Sequence, residues 1–339
     1  MGPEKRTMDR FLIIRLSSLG DIIHTLPSFA SLRKNFPRAV IRWAVEEKGK
    51  EILDLVPGLD EVAVIDKRNW RRSLTKIRGR DQVALDFQGL VKSGLLAYLS
   101  RSRRRIGFPR RNLKEPWASL FYTESPDPIA EEQRHVIAKN LRILERLEIK
   151  ETSYDFPLRV PDEISRSLQT KLDGIGRTEK QRLVVFNMGA GWETKRWFPD
   201  KWAETIGRAE IGRAFPLLLW GHEEEKRLAE EVASKTGVAV APFFTIKEVI
   251  ALIRSASLLV SGDTFALQVA CASDVPVVAL FGPTNPLRNG PFQSRDKIIF
   301  HKQDCNPCYK KTCPTLECLH VISPDEVASA VKEQWSSHG

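Results

Sequence analysis

The stretch FLIIRLSSLGDIIHTLPSFASLRKNF, residues 11–36, decides the fold. It opens with FLIIRL (11–16), an apolar run of strand length that ends at SSLGD. Beyond it apolar residues recur at helical spacing, and Pro27 predicts a break or kink in that helix. Working outward, IRWAVEE (41–47), EVAVID (61–66), QVALDF (82–87) and RRIGF (104–108) read as strands. KGKEILDLV, QGLVKSGLLAYLSR and HVIAKNLRILERLEI (135–149) read as helices. Strands alternating with helices imply parallel pairing through right-handed crossovers.

A second cycle follows a polar, proline-containing stretch near 151–180. LVVFNMGAG (183–191) is a strand entering a glycine-rich loop, FPDKWAETIGRAE is its helix, and PLLLWG with HEEEKRLAEEVASK repeats the unit. VAVAP, IKEVIALIRSA, LLVSGD, FALQVACA and VPVVALFG continue the alternation. The expected architecture is α/β, with two Rossmann-like, doubly wound domains facing across a cleft that is the natural ligand site. The domains fall at 1–165 and 166–322, and a helix in 323–339 is expected to pack back across both.

The 339 residues, 42% hydrophobic and 28% charged, describe a globular chain rather than a disordered one. No apolar run reaches the ~18–20 residues of a membrane span. The N-terminus MGPEKRTMDR lacks the apolar core of a signal peptide, so the expected location is cytoplasmic. Net charge is +10 and uneven: between Lys67 and Lys114 fifteen Lys and Arg stand against two Asp. That asymmetry points to a polyanionic partner, whether nucleic acid, an anionic membrane surface or a phosphorylated substrate, with a solvated basic face as the plainer reading.

GAGWET (189–194) offers two glycines of a dinucleotide fingerprint, but Thr194 holds the third place and the loop opens the second half, which argues against NAD. The loop does supply pliant backbone beside Lys195, suited to neutralising a pyrophosphate. No two aspartates stand two apart, so the D-x-D metal–nucleotide motif is absent. A sugar-nucleotide transferase without it must neutralise its leaving diphosphate with Lys, Arg and backbone N–H groups. SGDT (261–264), between a strand and a helix, meets that need and equally reads as a plain N-cap. Asp21, at the end of the first strand, is placed either to take a proton from an attacking hydroxyl or to cap its helix. His24, one turn further, reads as a partner or packing residue. Cys305, Cys308, Cys313 and Cys318 form C-x2-C-x4-C-x4-C, four thiols sufficient for one structural zinc or iron site, or else a loop packed by free thiols. Cys271 reads as core.

RLSSLGDIIHTLP, WAVEE, LDFQGLVKS, KEPWASLFY, NMGAGWETKRWFP, LLLWGHEEE, LLVSGDTFALQVA and LFGPTNP together span nearly the whole chain. In this order they resemble the lipopolysaccharide heptosyltransferases of glycosyltransferase family 9, most nearly the heptosyltransferase I branch. The resemblance implies a GT-B fold and an inverting transfer of heptose from ADP-heptose to Kdo of the inner core (Kdo2-lipid A), with no cofactor required for catalysis. By matched position it implies Asp21 as general base. Gly191, Lys195, Asp263 and Thr264 would lie at the diphosphate, Glu223 (or Glu224) at the ribose, and Phe244 over the adenine. Ser18, Arg68, Arg71, Arg72 and Lys92 would face the acidic acceptor. The expected partners are ADP-heptose, Kdo-lipid A and the inner face of the cytoplasmic membrane, and no nucleic acid; the cluster RSRRR (101–105) has no matched acceptor role and would touch either that membrane surface or merely solvent. The chain departs from the family's D-T-G-x-x-H at Phe265 and Gln268, which bears on donor preference. A second heptosyltransferase acting on a later core sugar, a polyanion-binding protein and a metal-bearing redox protein are the competing readings.

Overall fold

The computed structural model describes residues 9–66, 68–128, 130, 135–149, 151–292 and 295–337; Lys67, at the start of the basic region, lies outside them. The chain separates into two compact units, Met1–Arg159 and Val160–Gly339. In the first unit β1 (Arg10–Ile14), β2 (Val40–Val45), β3 (Glu61–Val64), β4 (Val83–Asp86) and β5 (Arg104–Gly107) form one parallel sheet in the order β3-β2-β1-β4-β5. β1 is buried from Phe11 to Ile14, as a strand covered by helices on both faces must be. The helical pattern after β1 is broken where proline predicts. Helix Leu19–Ile23 stops, and Leu26–Asn35 starts afresh with Pro27 in its first turn, where a missing N–H costs nothing.

The second unit repeats the plan with β6 (Leu183–Asn187), β7 (Phe215–Leu219), β8 (Ala239–Val240), β9 (Leu258–Gly262), β10 (Val277–Phe281) and β11 (Lys297–Phe300). Their order is β11-β10-β9-β6-β7-β8, again parallel throughout. β11 and the helix Asp162–Asp173 have no counterpart in the elements expected from sequence. The final helix, Pro324–Ser337, packs on helix Pro199–Arg208 and on β9, β10 and β11.

Both sheets reverse their winding once, between β1 and β4 and between β6 and β9. At such a switch point the loops leaving the two strands diverge and open a crevice beyond their carboxyl ends. Register sets the crevice floors: Ile14 pairs with Asp86, and Asn187 with Ser261.

Candidate active site

The crevice of the first unit is built from the loops after β1 and β4. Ser18 caps helix Leu19–Ile23 and Asp21 is its third residue, so backbone N–H and hydroxyl of Ser18 both donate to Asp21 Oδ2, at 3.1 and 2.8 Å. Oδ1 is 2.6 Å from Arg15 Nη2, while Arg15 also donates to the carbonyl of Phe87. Burial pulls the Asp21 carboxyl upward. The charges of Arg15 and His24 and the Ser18 hydrogen bonds outweigh it and hold the group at about 2. Asp21 is thus both a cap and an ionised carboxylate, its side chain 35% exposed. Of the two sequence readings, capping is the one these hydrogen bonds show.

The β4 loop is fixed from below. Asp86 is wholly buried and accepts from Tyr122 Oη (2.7 Å), Ser93 Oγ (2.8 Å) and the backbone N–H groups of Gln88 and Gly89. Gln88 Oε1 then accepts from Leu16 N and Ser17 N, at 2.9 and 3.2 Å, and so ties the loop bearing Asp21 to the one after β4. Arg15, Asp86, Gln88 and Tyr122 were not singled out from sequence. The available signal was a polar cluster, DFQG, leaving a strand at the same end as SSLGD.

The expected acceptor residues lie at this same end of the sheet. Lys92, in the first turn of helix Val91–Leu99, is 3.5 Å from Glu46 just after β2. Arg68, Arg71 and Arg72 are exposed around the start of helix Trp70–Ile77, after the edge strand β3. Two strands separate them from β4 and Lys92.

In the second unit Asn187, at the end of β6, donates to Gly189 O (3.1 Å), Ser261 Oγ (3.0 Å) and Thr264 Oγ1 (3.1 Å), binding the two loops together. Thr264 caps helix Phe265–Ala272 by accepting from Leu267 N. Lys195 Nζ lies 2.7 Å from Asp263 Oδ2 and 4.4 Å from the Trp192 ring centroid, its side chain 15% exposed. Gly191 is exposed, and a Cβ there would meet nothing. At Gly189 a Cβ would run into the Glu225 carboxylate. That buried carboxylate accepts from Ala190 N and Gly221 N and lies 3.0 Å from His222. Glu225, too, was not singled out from sequence. Glu223 is exposed at the start of helix Glu223–Thr236, while Glu224 pairs with Arg196 at 3.2 Å. Phe244 turns inward beneath the Lys171 ammonium, and its neighbour Phe243 is the exposed ring, next to Trp220. Gln268 is buried and donates to Asn289 O, so the departure from the family turn is absorbed in packing.

The four clustered cysteines give the expected structural metal no support. All are free thiols, and among the described residues no three His, Cys, Asp or Glu are disposed to hold a metal ion. Burial, followed by the nearby thiols of Cys305, Cys308 and Cys313, pushes Cys318 up to about 11. The loop instead buttresses the glycine-rich turn. Thr194 Oγ1 donates to Lys310 O at 2.7 Å, and Lys311 lies over the Trp192 ring.

Comparison with known proteins gives this arrangement its relatives. The model of glycosyltransferase family 9 (heptosyltransferase) matches residues 70–319. Lipopolysaccharide heptosyltransferase 1 of Pseudomonas aeruginosa is 28% identical, over 95% of this chain and 97% of its own. Lipopolysaccharide heptosyltransferase 1 of Escherichia coli K12 is 31% identical, over 82% of this chain and 89% of its own. Among solved structures, a family 9 glycosyl transferase of Veillonella parvula is similar with TM-score 0.82 at 22% identity, covering 97% of this chain and 98% of that one. E. coli heptosyltransferase WaaC with ADP-2-deoxy-2-fluoro heptose is similar with TM-score 0.75 at 23% identity, covering 96% and 99%. The two parallel α/β units are those of the GT-B fold. Among the described residues no helix is long and apolar enough to cross a membrane. The chain belongs to glycosyltransferase family 9, and it is a heptosyltransferase.

Proposed function

We propose that the enzyme transfers L-glycero-D-manno-heptose from ADP-heptose to Kdo of the lipopolysaccharide inner core, Kdo2-lipid A, with inversion and without a metal. The observation that carries this reading is the Arg15–Asp21 pair at the first switch point, a carboxylate kept ionised and open on one side. The attacking oxygen of the acceptor bonds to the anomeric carbon as the bond to the diphosphate oxygen breaks. The hydroxyl proton passes to Asp21, and ADP departs with the electron pair. Lys195 and the free N–H groups opening helix Phe265–Ala272 meet the charge of the departing diphosphate, which removes the need for a cation. The Gly191 backbone lies along the phosphates, with Asp263 and Thr264 holding the turn. Glu223 takes the ribose and Phe244 backs the adenine. Ser18, Arg68, Arg71, Arg72 and Lys92 receive the Kdo carboxylate and nearby phosphates, a task suited to the planar fork of arginine. The enzyme works in the cytoplasm, at the inner face of the membrane that carries its acceptor.

The test is incubation with ADP-heptose or other nucleotide sugars and a Kdo-terminated acceptor, with EDTA present throughout, followed by mass spectrometry. One heptose added from ADP-heptose is expected. Transfer only from another nucleotide sugar, or only when a divalent ion is restored, would overturn the donor or the metal-free mechanism respectively.

A further inference from the structure

We infer that the outer edge of the first unit, along β5, docks on an anionic phospholipid surface, with Trp117 and Leu120 as its apolar anchors. The short 3-10 helix Pro116–Phe121 sets the geometry. At three residues per turn, positions three apart share a face. Ala118 and Phe121 face inward onto helix Val91–Leu99, where Gly94 admits them: a Cβ at Gly94 would stand 3.0 Å from Phe121 and 3.1 Å from Ala118 O. Trp117 and Leu120 therefore face outward, 67% and 70% exposed. Tyr98, also exposed, joins them through the Phe121 ring, 6.2 Å away. Among the described residues of the first unit four large apolar side chains are exposed, and three of them are on this edge, which a scattered surface would not produce.

The surrounding charge selects the partner. Between Tyr98 and Phe121 the chain carries seven Lys and Arg against the single acid Glu115. Glu115 is occupied, accepting from Val91 N at 2.7 Å. Arg104 and Arg105 are tied down, the first to Glu124 and the second to Phe121 O and Ser102 O. The RSRRR cluster thus offers only Arg101 and Arg103 to a surface. Arg110, 5.9 Å from the Trp117 ring, Arg111 and Lys114 complete an exposed basic rim around the apolar pair. An aromatic and a leucine ringed by Arg and Lys suit the boundary between anionic headgroups and acyl chains. A second copy of the same face would set like charges against each other, so self-association there is disfavoured. Glu115 also places the start of this edge beside Lys92 and the sheet end carrying Asp21, where a lipid-linked acceptor would be presented.

The inference rests on the proposed acceptor only for its purpose, and the two fail separately. Full-length protein is sedimented with vesicles of phosphatidylcholine alone or with phosphatidylglycerol, and turnover is followed on a soluble Kdo-containing acceptor. Binding is expected to the anionic vesicles and to fall with salt. Trp117→Ser with Leu120→Ser should weaken it about tenfold or more. Arg111→Ala and Lys114→Ala should each weaken it about fivefold. All four changes should leave soluble-acceptor turnover intact. Equal binding to neutral vesicles, undiminished binding of the Trp117/Leu120 variant, or a dimer that this variant dissociates would overturn the inference. Intact vesicle binding with no heptosyl transfer to any Kdo acceptor would overturn the proposed function and leave docking standing.

Discussion

Arg15 and Asp21 are joined by a 2.6 Å ion pair at the end of β1, and Ser18 occupies the second oxygen of the same carboxylate. Both oxygens of the proposed base are thus partnered, yet a carboxylate offers about four lone-pair sites, so its exposed side still has room for a proton. The Ser18 hydroxyl can rotate away, whereas Arg15 is also held by the Phe87 carbonyl.

Removing the arginine should consequently change the pH response before it changes the geometry. In Arg15→Met the Asp21 carboxyl rises from about 2 toward its ordinary 3.8 or beyond, because burial is no longer opposed by that charge. The acid limb of the kcat/KM profile should move upward in pH with it, while Asp21→Asn loses ~10²–10⁴-fold in kcat. An unmoved limb in Arg15→Met would assign the titration to another group. The same depression stabilises the fold above the ordinary carboxylate pKa, and that contribution fades as pH falls from about 4 toward 2.

Lys195→Ala should weaken ADP binding about tenfold or more by calorimetry, since hydrogen bonds to charged groups contribute ~1.5–3 kcal/mol. It also leaves the buried carboxylate of Asp263 without its 2.7 Å partner. Unchanged ADP affinity would remove Lys195 from the donor site.

Glu225 and Glu223 should separate structure from recognition. Glu225→Ala strips the acceptor from Ala190 N and Gly221 N and should destabilise the second unit by ~1–3 kcal/mol in urea melts. Glu223→Ala, at an exposed position, should leave the melt unchanged and lower ADP affinity through the ribose. A normal affinity in Glu223→Ala would pass the ribose to Glu224.

Arg71→Ala and Arg72→Ala should raise the KM for a soluble Kdo acceptor and leave ADP binding unchanged, since both are exposed at the sheet end that carries Asp21. Normal acceptor KM in both variants would move the acceptor to another part of that end.

The repeated strand–helix alternation was legible because parallel strands buried on two faces leave unbroken apolar runs such as FLII and LLV. Helix Asp162–Asp173 was not, because it buries only Leu168 and Leu172 and reads as a polar stretch; β11 has four residues and a single buried one, Ile299. Within the two crevices, local pattern announced the helix starts, with Asp21 after Gly20 and Thr264 before its helix. Those acting through partners far along the chain were not. Gln88 reaches back to Leu16, Tyr122 to Asp86, and Glu225 to Ala190, and no spacing rule encodes such contacts. The cysteine run is announced by spacing too, but its bracing contact, Thr194 to the Lys310 carbonyl, is not.

Lys195 and Asp263 neutralise one another across 2.7 Å. In the proposed donor site, binding of the diphosphate is an exchange of partners for Lys195 rather than the capture of a free cation. A monovalent anion gains too little to displace a carboxylate at 2.7 Å, whereas a diphosphate brings more charge and several acceptor oxygens at once. The pair sets a threshold that chloride should not cross, so ADP titrations in chloride and in acetate should give the same affinity at equal ionic strength.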